Sequence, residues 1–351
     1  ASHWAAVLGA RCRSVGQRCS AFADVWDTID EFLNLLTGRQ DLSDVFEQVR
    51  HRLYSIGYRM LASAHEAEDL VQDAWLRWHE FRRESQNKVL NAEAWLVTMT
   101  TRMAIDRLRA AKLRRETYPG YWLPEPLLED DHTNPEEIYS LADDVSVAFL
   151  ILLDHLSPEA RAAFLLREVF DVDYDQVAQI LGKTEAAARQ IVHRARRELE
   201  KARAKDPRPP ALPVRNEHQH QVLRDFAHAI SRGDFAGLQA LLGEHAKLFS
   251  DGGGLVPSFG TPLLGARRIA LMYFASHRRY GGAMQVQLVK LNGRWGLLRY
   301  IDGQLESAQS FEIGDQQIQK IHVQRNPEKL ARLAATLVRL PAVGCWQGLA
   351  V

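Results

Sequence analysis

Arg189, Gln190 and His193, with Glu185 before them and Arg194, Arg196 and Arg197 after, share one side of the stretch TEAAARQIVHRARREL, Thr184 to Leu199. These side chains can read nucleic acid. Arginine bonds guanine, and glutamine bonds adenine, through two parallel hydrogen bonds. Further arginines neutralise phosphates. The other side of the stretch is apolar, since Ala188, Ile191, Val192, Ala195 and Leu199 recur at steps of three and four. A solvated charged helix is the plain alternative for such a face. The preceding residues favour readout. The segment YDQVAQIL sets Val177, Ala178 and Leu181 on one face, GKT makes a tight turn, and Thr184 is placed to cap the next helix. Helix, glycine-containing turn and helix form the helix-turn-helix pattern. Its second helix enters the major groove with N-terminal residues at the base edges.

Two other charged surfaces stand out. The segment AEDLVQDAWLRWHEF turns Leu70, Val71, Ala74, Trp78 and Phe81 to a core and leaves Glu68, Asp69, Gln72 and Asp73 largely away from it. The segment NAEAWLVTMTTRMAIDRLRAAKLRR ends in Arg102, Arg107, Arg109, Lys112, Arg114 and Arg115, opposed only by Asp106. Arg102 and Asp106 also suit a local pair at i, i+4. Catalytic chemistry has thinner support. Asp251, His277 and Asp302 are the ionisable candidates of the C-terminal part, and they form neither a triad nor a metal cluster. The chain is therefore expected to be no enzyme and to need no cofactor or metal.

The 351 residues allow two or three domains. Formal net charge is zero, so local charge has to decide the partner. Cys12, Cys19 and Cys345 are no disulfide framework and contain no C-x-x-C pair. No apolar run approaches the roughly 18 residues of a membrane span. The opening twenty residues lack the apolar core of a signal peptide. Cytoplasm is the expected compartment.

These surfaces need scaffolds. Residues 41–117 are expected to be helical, with glycine and proline nearly absent from the segments. Residues 118–142 form a linker with four prolines and the aromatics Tyr118, Tyr121 and Trp122, part of which is expected to dock. Residues 143–204 are helical again, with Ser157 as N-cap and Pro158 at the first helical position of LSPEARAAFLLREVF. A Pro-rich linker follows at 205–215. From 216 to 325 the pattern gives two helices, a hairpin at KLFSDGGGLVPSF, a further helix and alternating strands. Turns are expected at Asn292-Gly293, Asp302-Gly303 and Gly314-Asp315. Helices followed by an antiparallel sheet make an α+β domain. Residues 326–351 hold a last helix and tail, with Leu330, Leu333, Leu337 and Leu340 as its stripe. Residues 1–40 are an extension with no assigned role.

AEDLVQDAWLRWHEF followed by AWLVTMTTRMAIDRLRA resembles region 2 of bacterial RNA polymerase sigma factors. LSPEARAAFLLREVFDVDYDQVAQILGKTEAAARQIVHRARREL resembles region 4. Two regions joined without region 3 resemble the extracytoplasmic-function group. Residues 216–325 resemble the SnoaL-like, NTF2-type fold. WLPEP (Trp122 to Pro126), DGGG (Asp251, Gly252, Gly253, Gly254) and NPEK (Asn326, Pro327, Glu328, Lys329) resemble hallmarks of sigma factors with such a domain fused at the C-terminus. The usual last motif has Asp where this chain has Glu328, which keeps the charge.

The resemblance implies two all-α sigma domains, a region 2 bundle and a region 4 helix-turn-helix, plus an α+β NTF2/SnoaL-like cone. It implies core RNA polymerase and promoter DNA as partners. Glu66, Glu68, Asp69, Gln72 and Asp73 match the motif that binds a polymerase coiled coil. Arg102, Arg107, Arg109, Lys112 and Arg114 match the segment that recognises the −10 element, and the loop RRESQNKVLN matches the one that captures a flipped base. Thr184, Glu185, Arg189, Gln190, His193, Arg194 and Arg197 fall to the −35 element. Trp122, Leu123 and Pro124, with DGGG and NPEK, are the expected regulatory interdomain residues. Each has a plainer role beside it: glycines permit a turn, and Asn326, Pro327 and Glu328 suit a helix start. Trp95 invites intercalation, but its helical spacing with Met99 and Met103 favours a core position. An unidentified small-molecule ligand of the cone is left open. An ordinary helix-turn-helix regulator with a ligand-sensing domain is the alternative; it leaves the region 2 match without a cause.

Overall fold

A computed structural model describes residues 42–84, 91–128, 146–204, 216–314 and 316–339. The extension and Asp41, residues 85–90 of the loop, residues 129–145, the second linker at 205–215, Asp315 and the tail from Leu340 lie outside the described residues. The chain divides into two compact units, Ala1–Val49 and Arg50–Val351. Within the first, the described residues open helix α1 (Leu42–Leu61), which runs on into the second.

In the larger unit, α2 (Ala64–Glu84) and α3 (Ala92–Arg115) follow α1. Leu70, Val71, Ala74 and Trp78 are buried, as their three- and four-residue spacing requires. Trp95 is half-buried and packs against Trp78 and Phe81, with ring centroids 5.3 and 4.8 Å away. That agrees with a packing role for its ring. Asn91 caps α3, its Oδ1 accepting from Ala94 N at 2.9 Å.

A second helical group holds α4 (Val147–Leu153), α5 (Pro158–Glu168), α6 (Tyr174–Leu181) and α7 (Glu185–Ala204). Ser157 caps α5 with proline in its first turn, and Gly182 ends α6 at φ 65°. Thr184 Oγ1 accepts from Ala187 N, which starts α7. Ala188, Val192, Ala195 and Leu199 are buried.

The C-terminal part is α+β. Helices α8 (Asn216–Arg232) and α9 (Phe235–Leu241) precede β1 (Leu242–Asp251) and the two-residue β2 (Leu263–Leu264). Helix α10 (Ala266–Tyr280) leads to β3 (Met284–Leu291), β4 (Arg294–Ile301), β5 (Gln304–Gly314) and β6 (Gln317–Gln324). The sheet order is β2-β1-β6-β5-β4-β3, and β1 with β6 is its parallel pair. Side chains alternate across it. Leu297, Phe311 and Ile321 face Phe226, Ile269 and Tyr273 of the helices. On the other face, Leu298, Val289 and Ala308 meet Leu330 and Leu333 of α11 (Pro327–Arg339).

Two expected turns are left-handed, with φ 52° and 76° at Asn292-Gly293 and 50° and 74° at Asp302-Gly303. Such turns match the twist of paired strands. The expected hairpin at DGGG is looser than its sequence suggests. Asp251 ends β1, and residues 252–262 wander before β2 pairs back at Lys247 and Leu248. The reason lies in what Asp251 holds.

Candidate nucleic-acid and interdomain interfaces

Helix α7 presents its polar side to solvent. Thr184, Glu185, Arg189, Gln190, His193, Arg194 and Arg197 are all exposed. Arg189 bonds Glu185 at 2.5 Å and lies over the Tyr174 ring at 4.3 Å. Arg194 reaches back to Gln190, and Arg196 pairs with Glu168 at 2.5 Å.

The basic face of α3 is engaged within the chain. Arg102 donates to the carbonyls of Gln179 and Ile180 at 2.9 Å each, at the C-terminus of α6. Lys112 donates to the carbonyls of Asp154 and Leu156, just past α4, at 2.9 and 2.7 Å. Cations are favourable at such helix ends. Arg109 bonds Asp106 and Glu159 at 2.9 and 2.8 Å. Arg102 therefore takes carbonyls of α6, while Arg109 bonds the acid within its own helix. Arg107 and Arg114 turn the other way, to Asp73 and, at 3.2 Å, Glu66 of α2.

The acidic face of α2 is thus divided. Glu66 and Asp73 pair with α3, Glu68 pairs with Arg332 of α11, and Asp69 approaches His65 at 3.7 Å. Gln72 is exposed, and so is Leu76 on the same side.

One buried carboxylate joins the three motifs of the C-terminal part. Asp251 is fully buried. Its oxygens accept from Tyr118 Oη at 2.7 Å, Leu123 N at 2.9 Å, Gly253 N at 3.0 Å, Gln324 Nε2 at 3.2 Å and Lys329 Nζ at 2.7 Å. Burial pulls the Lys329 ammonium down to about 8, against the pull of Asp251. Lys329 also donates to Leu123 O at 2.7 Å and stands 4.4 Å from the Trp122 ring. The Arg115 guanidinium lies 3.3 Å from that ring and bonds Asp154 at 2.7 Å. Trp122 is therefore in contact with one cation from α3 and one from α11. Asn326 serves twice: Oδ1 accepts from Glu328 N at 3.0 Å, and Nδ2 donates to Tyr118 Oη at 3.1 Å. A Cβ on Gly253 would overlap Asn326, and one on Gly254 would stand 2.6 Å from Pro119 Cγ, so both glycines permit close approach. Leu123 and Pro124 are buried here, Gly252 leads the loop, and Pro327 and Glu328 remain exposed at the start of α11.

Three further residues hold the linker. Glu125, buried inside WLPEP, accepts from Ser63 Oγ, Ala64 N and His65 N at 2.9, 2.8 and 3.3 Å, and so caps α2 from the linker. Asn292, which the pattern identifies only as a turn residue, donates to Tyr58 Oη at 2.6 Å and accepts from Leu127 N at 3.1 Å. Tyr58 in turn donates to Glu125 O at 2.8 Å. An acid flanked by prolines was a usable hint for Glu125; nothing local marks Tyr58.

The catalytic candidates lie on three separate elements: Asp251 ends β1, His277 is on α10 and Asp302 is in the β4–β5 turn. A recess of about 290 Å³ opens between α8 and α9 beside Asp225, His228, Arg232 and Asp234. No described helix is long and apolar enough to cross a membrane.

Residues 45–114 match the Sigma-70 region 2 family and residues 146–199 match Sigma-70, region 4. The chain is 36% identical over 257 residues to the ECF RNA polymerase sigma factor SigJ of Mycobacterium tuberculosis, covering 72% of this chain and 78% of that protein. It is 28% identical over 297 residues to the probable ECF RNA polymerase sigma factor SigI of the same species, covering 82% and 94%. The crystal structure of M. tuberculosis SigJ superposes with a TM-score of 0.65 at 30% identity, covering 83% of this chain and 98% of that one.

Proposed function

The chain belongs to the extracytoplasmic-function RNA polymerase sigma factors, and from that premise we propose that its sheet domain restrains the sigma regions in cis. As a sigma factor it directs transcription initiation with core polymerase at promoter DNA, and it is not an enzyme. What the restraint would preserve is the engagement of Arg102 and Lys112 with carbonyls of region 4. Those N–H groups have to leave their partners before they can meet −10 DNA. The observation that carries the sheet domain's part is the Asp251 cluster, which holds the linker against that domain. Arg332 on Glu68, a residue of the surface expected to meet polymerase, supports the same reading. The proposal keeps region 2 at 41–117, region 4 at 143–204 and the SnoaL-like domain at 216–325. It sets the protein's work in the cytoplasm, and assigns any small-molecule ligand to the recess beside His228, whose Nε2 is buried without a hydrogen-bond partner.

In vitro transcription with core polymerase tests the restraint. The full chain is compared with chains ending after residue 205 and near residue 330. Both truncations should alter promoter-dependent transcription, and they should differ from each other. Equal activity in all three would remove the restraint. The polymerase surface is tested at Asp69, which has only a loose approach to His65. Asp69→Lys should weaken binding to core polymerase, because like charge would replace attraction at the interface. Unchanged affinity would take that face out of the proposal.

The −35 assignment gives paired expectations. Arg189→Ala should cost about 1–3 kcal/mol and relax preference at one base position. Arg197→Ala should weaken all sequences alike and flatten the salt dependence by about one unit. Binding to promoter variants over a salt series separates them. A uniform loss for Arg189→Ala would leave α7 as a backbone contact alone.

A further inference from the structure

Helix α10 carries four arginines and no acid. Arg267 and Arg268 lie in its first turn and Arg278 and Arg279 near its end, and all four are exposed. Among the described residues, none of them has a carboxylate partner. The elements packed against α10 hold Glu217 and Asp225 on α8, Asp234 before α9, and Glu244 and Asp251 on β1. Asp225 holds Gln221, Asp234 caps α9 at Gly237, and Asp251 belongs to the linker cluster. Glu217 and Glu244 are exposed and form no ion pair with the four. Arg279 lies only over the ring of Tyr280, at 5.3 Å.

Fold stability does not account for the first pair. A cation at a helix N-terminus opposes the helix dipole, and Gly265 supplies no side-chain cap there. Arg268, Leu271, Ala275 and Arg278 share one face of the helix. The two pairs stand 11 residues apart, about 16 Å at the helical rise. The major groove is about 12 Å wide, so arginines at the two ends reach phosphates on both of its rims. Leu271, 55% exposed, lies between them.

We infer that the outer face of α10 is a second DNA-contacting surface, which holds the phosphates of duplex DNA without reading sequence. The inference goes beyond the two sigma regions, and rests on the reading of this chain as a protein that meets promoter duplex. Its function would be to add backbone contacts from the sheet domain to those of α7.

The test uses the full chain, a labelled promoter duplex and a scrambled duplex of equal length over a salt series. One variant carries Arg267→Ala, Arg268→Ala, Arg278→Ala and Arg279→Ala, and a second carries lysine at the same four positions. Thermal melting by circular dichroism checks that both keep the fold. The alanine variant should lose affinity for both duplexes alike. Its salt slope should flatten by roughly two to four units, at about 0.9 per lost phosphate contact. The lysine variant should keep most of the slope. Arg197→Ala reports region 4 separately. A wild-type slope in the alanine variant overturns the inference. So does unchanged DNA binding with weaker core polymerase binding, which would make the face a protein contact. A wild-type chain that recruits polymerase but binds neither duplex overturns it as well, and leaves the sigma assignment standing.

Discussion

Asp251→Ala should release the sheet domain from the linker in the full chain, the largest single effect expected here. The carboxylate is fully buried and is the only described acid bonded to the Lys329 ammonium. Removing one partner of a buried pair strands the other, at about 3–5 kcal/mol. At 1.4 kcal/mol per factor of ten, the docking equilibrium should fall roughly a hundredfold or more. Amide hydrogen exchange measures it at the two N–H groups that bond between the linker and Asn292 in the docked form. Leu127 N donates to Asn292 Oδ1, and Asn292 N donates to Leu127 O, across the linker and the sheet domain. Unchanged protection at those two amides would show that the cluster does not hold the linker.

Asp251→Asn adds a test of sign. Docked Lys329 sits at about 8 against 10.5 for a free lysine. Docking therefore releases protons between these values, and it strengthens as pH rises through that window. Below about 8 the penalty for burying the charge is complete. The Asn variant loses the acid that supports the charged form, so raising the pH should restore more docking in it than in the wild type. Protection in the variant that stays flat across that window would mean that the lysine's charge is not what opposes docking.

Arg115→Ala should loosen region 4 from region 2. The side chain is 14% exposed, bonds Asp154 and Leu61 O, and covers Trp122. Truncating a buried, hydrogen-bonded charge at an interface costs about 2–5 kcal/mol. The expected outcome is faster amide exchange in α4 and tighter binding of single-stranded −10 DNA, as Arg102 and Lys112 leave their carbonyl partners. Asp154→Ala should act similarly, and the double variant should fall short of the sum, because both members belong to one pair. Slower or unchanged exchange together with unchanged DNA affinity would remove Arg115 from the restraint.

The sigma helices and their caps were legible because their signals are local. Ser157, Thr184 and Gly182 cap and end helices by rules that span a few residues. The buried stripe of α7 follows from its 3.6-residue period. The sheet turns at Asn292 and Asp302 were legible for the same reason, since a left-handed pair needs Asn-Gly or Asp-Gly whatever surrounds it. The motifs WLPEP, DGGG and NPEK could be named from the sequence, and the structure brings residues from all three onto Asp251.

Local signals do not say what a polar side chain will bond. Arg102 looks the same in the sequence whether it meets a phosphate or the last carbonyls of α6, 78 residues away. Asn292 makes its turn with its backbone and holds a tyrosine 234 residues earlier with its side chain. Glu125 caps a helix that begins 61 residues before it. The sequence by itself determined which segments are helix and strand, which faces are apolar, and which family the two helical regions resemble. Tertiary structure decided which charged groups face solvent and which face one another. A buried charge must find its partner wherever the folded chain brings one, and that choice depends on distances that no local pattern encodes.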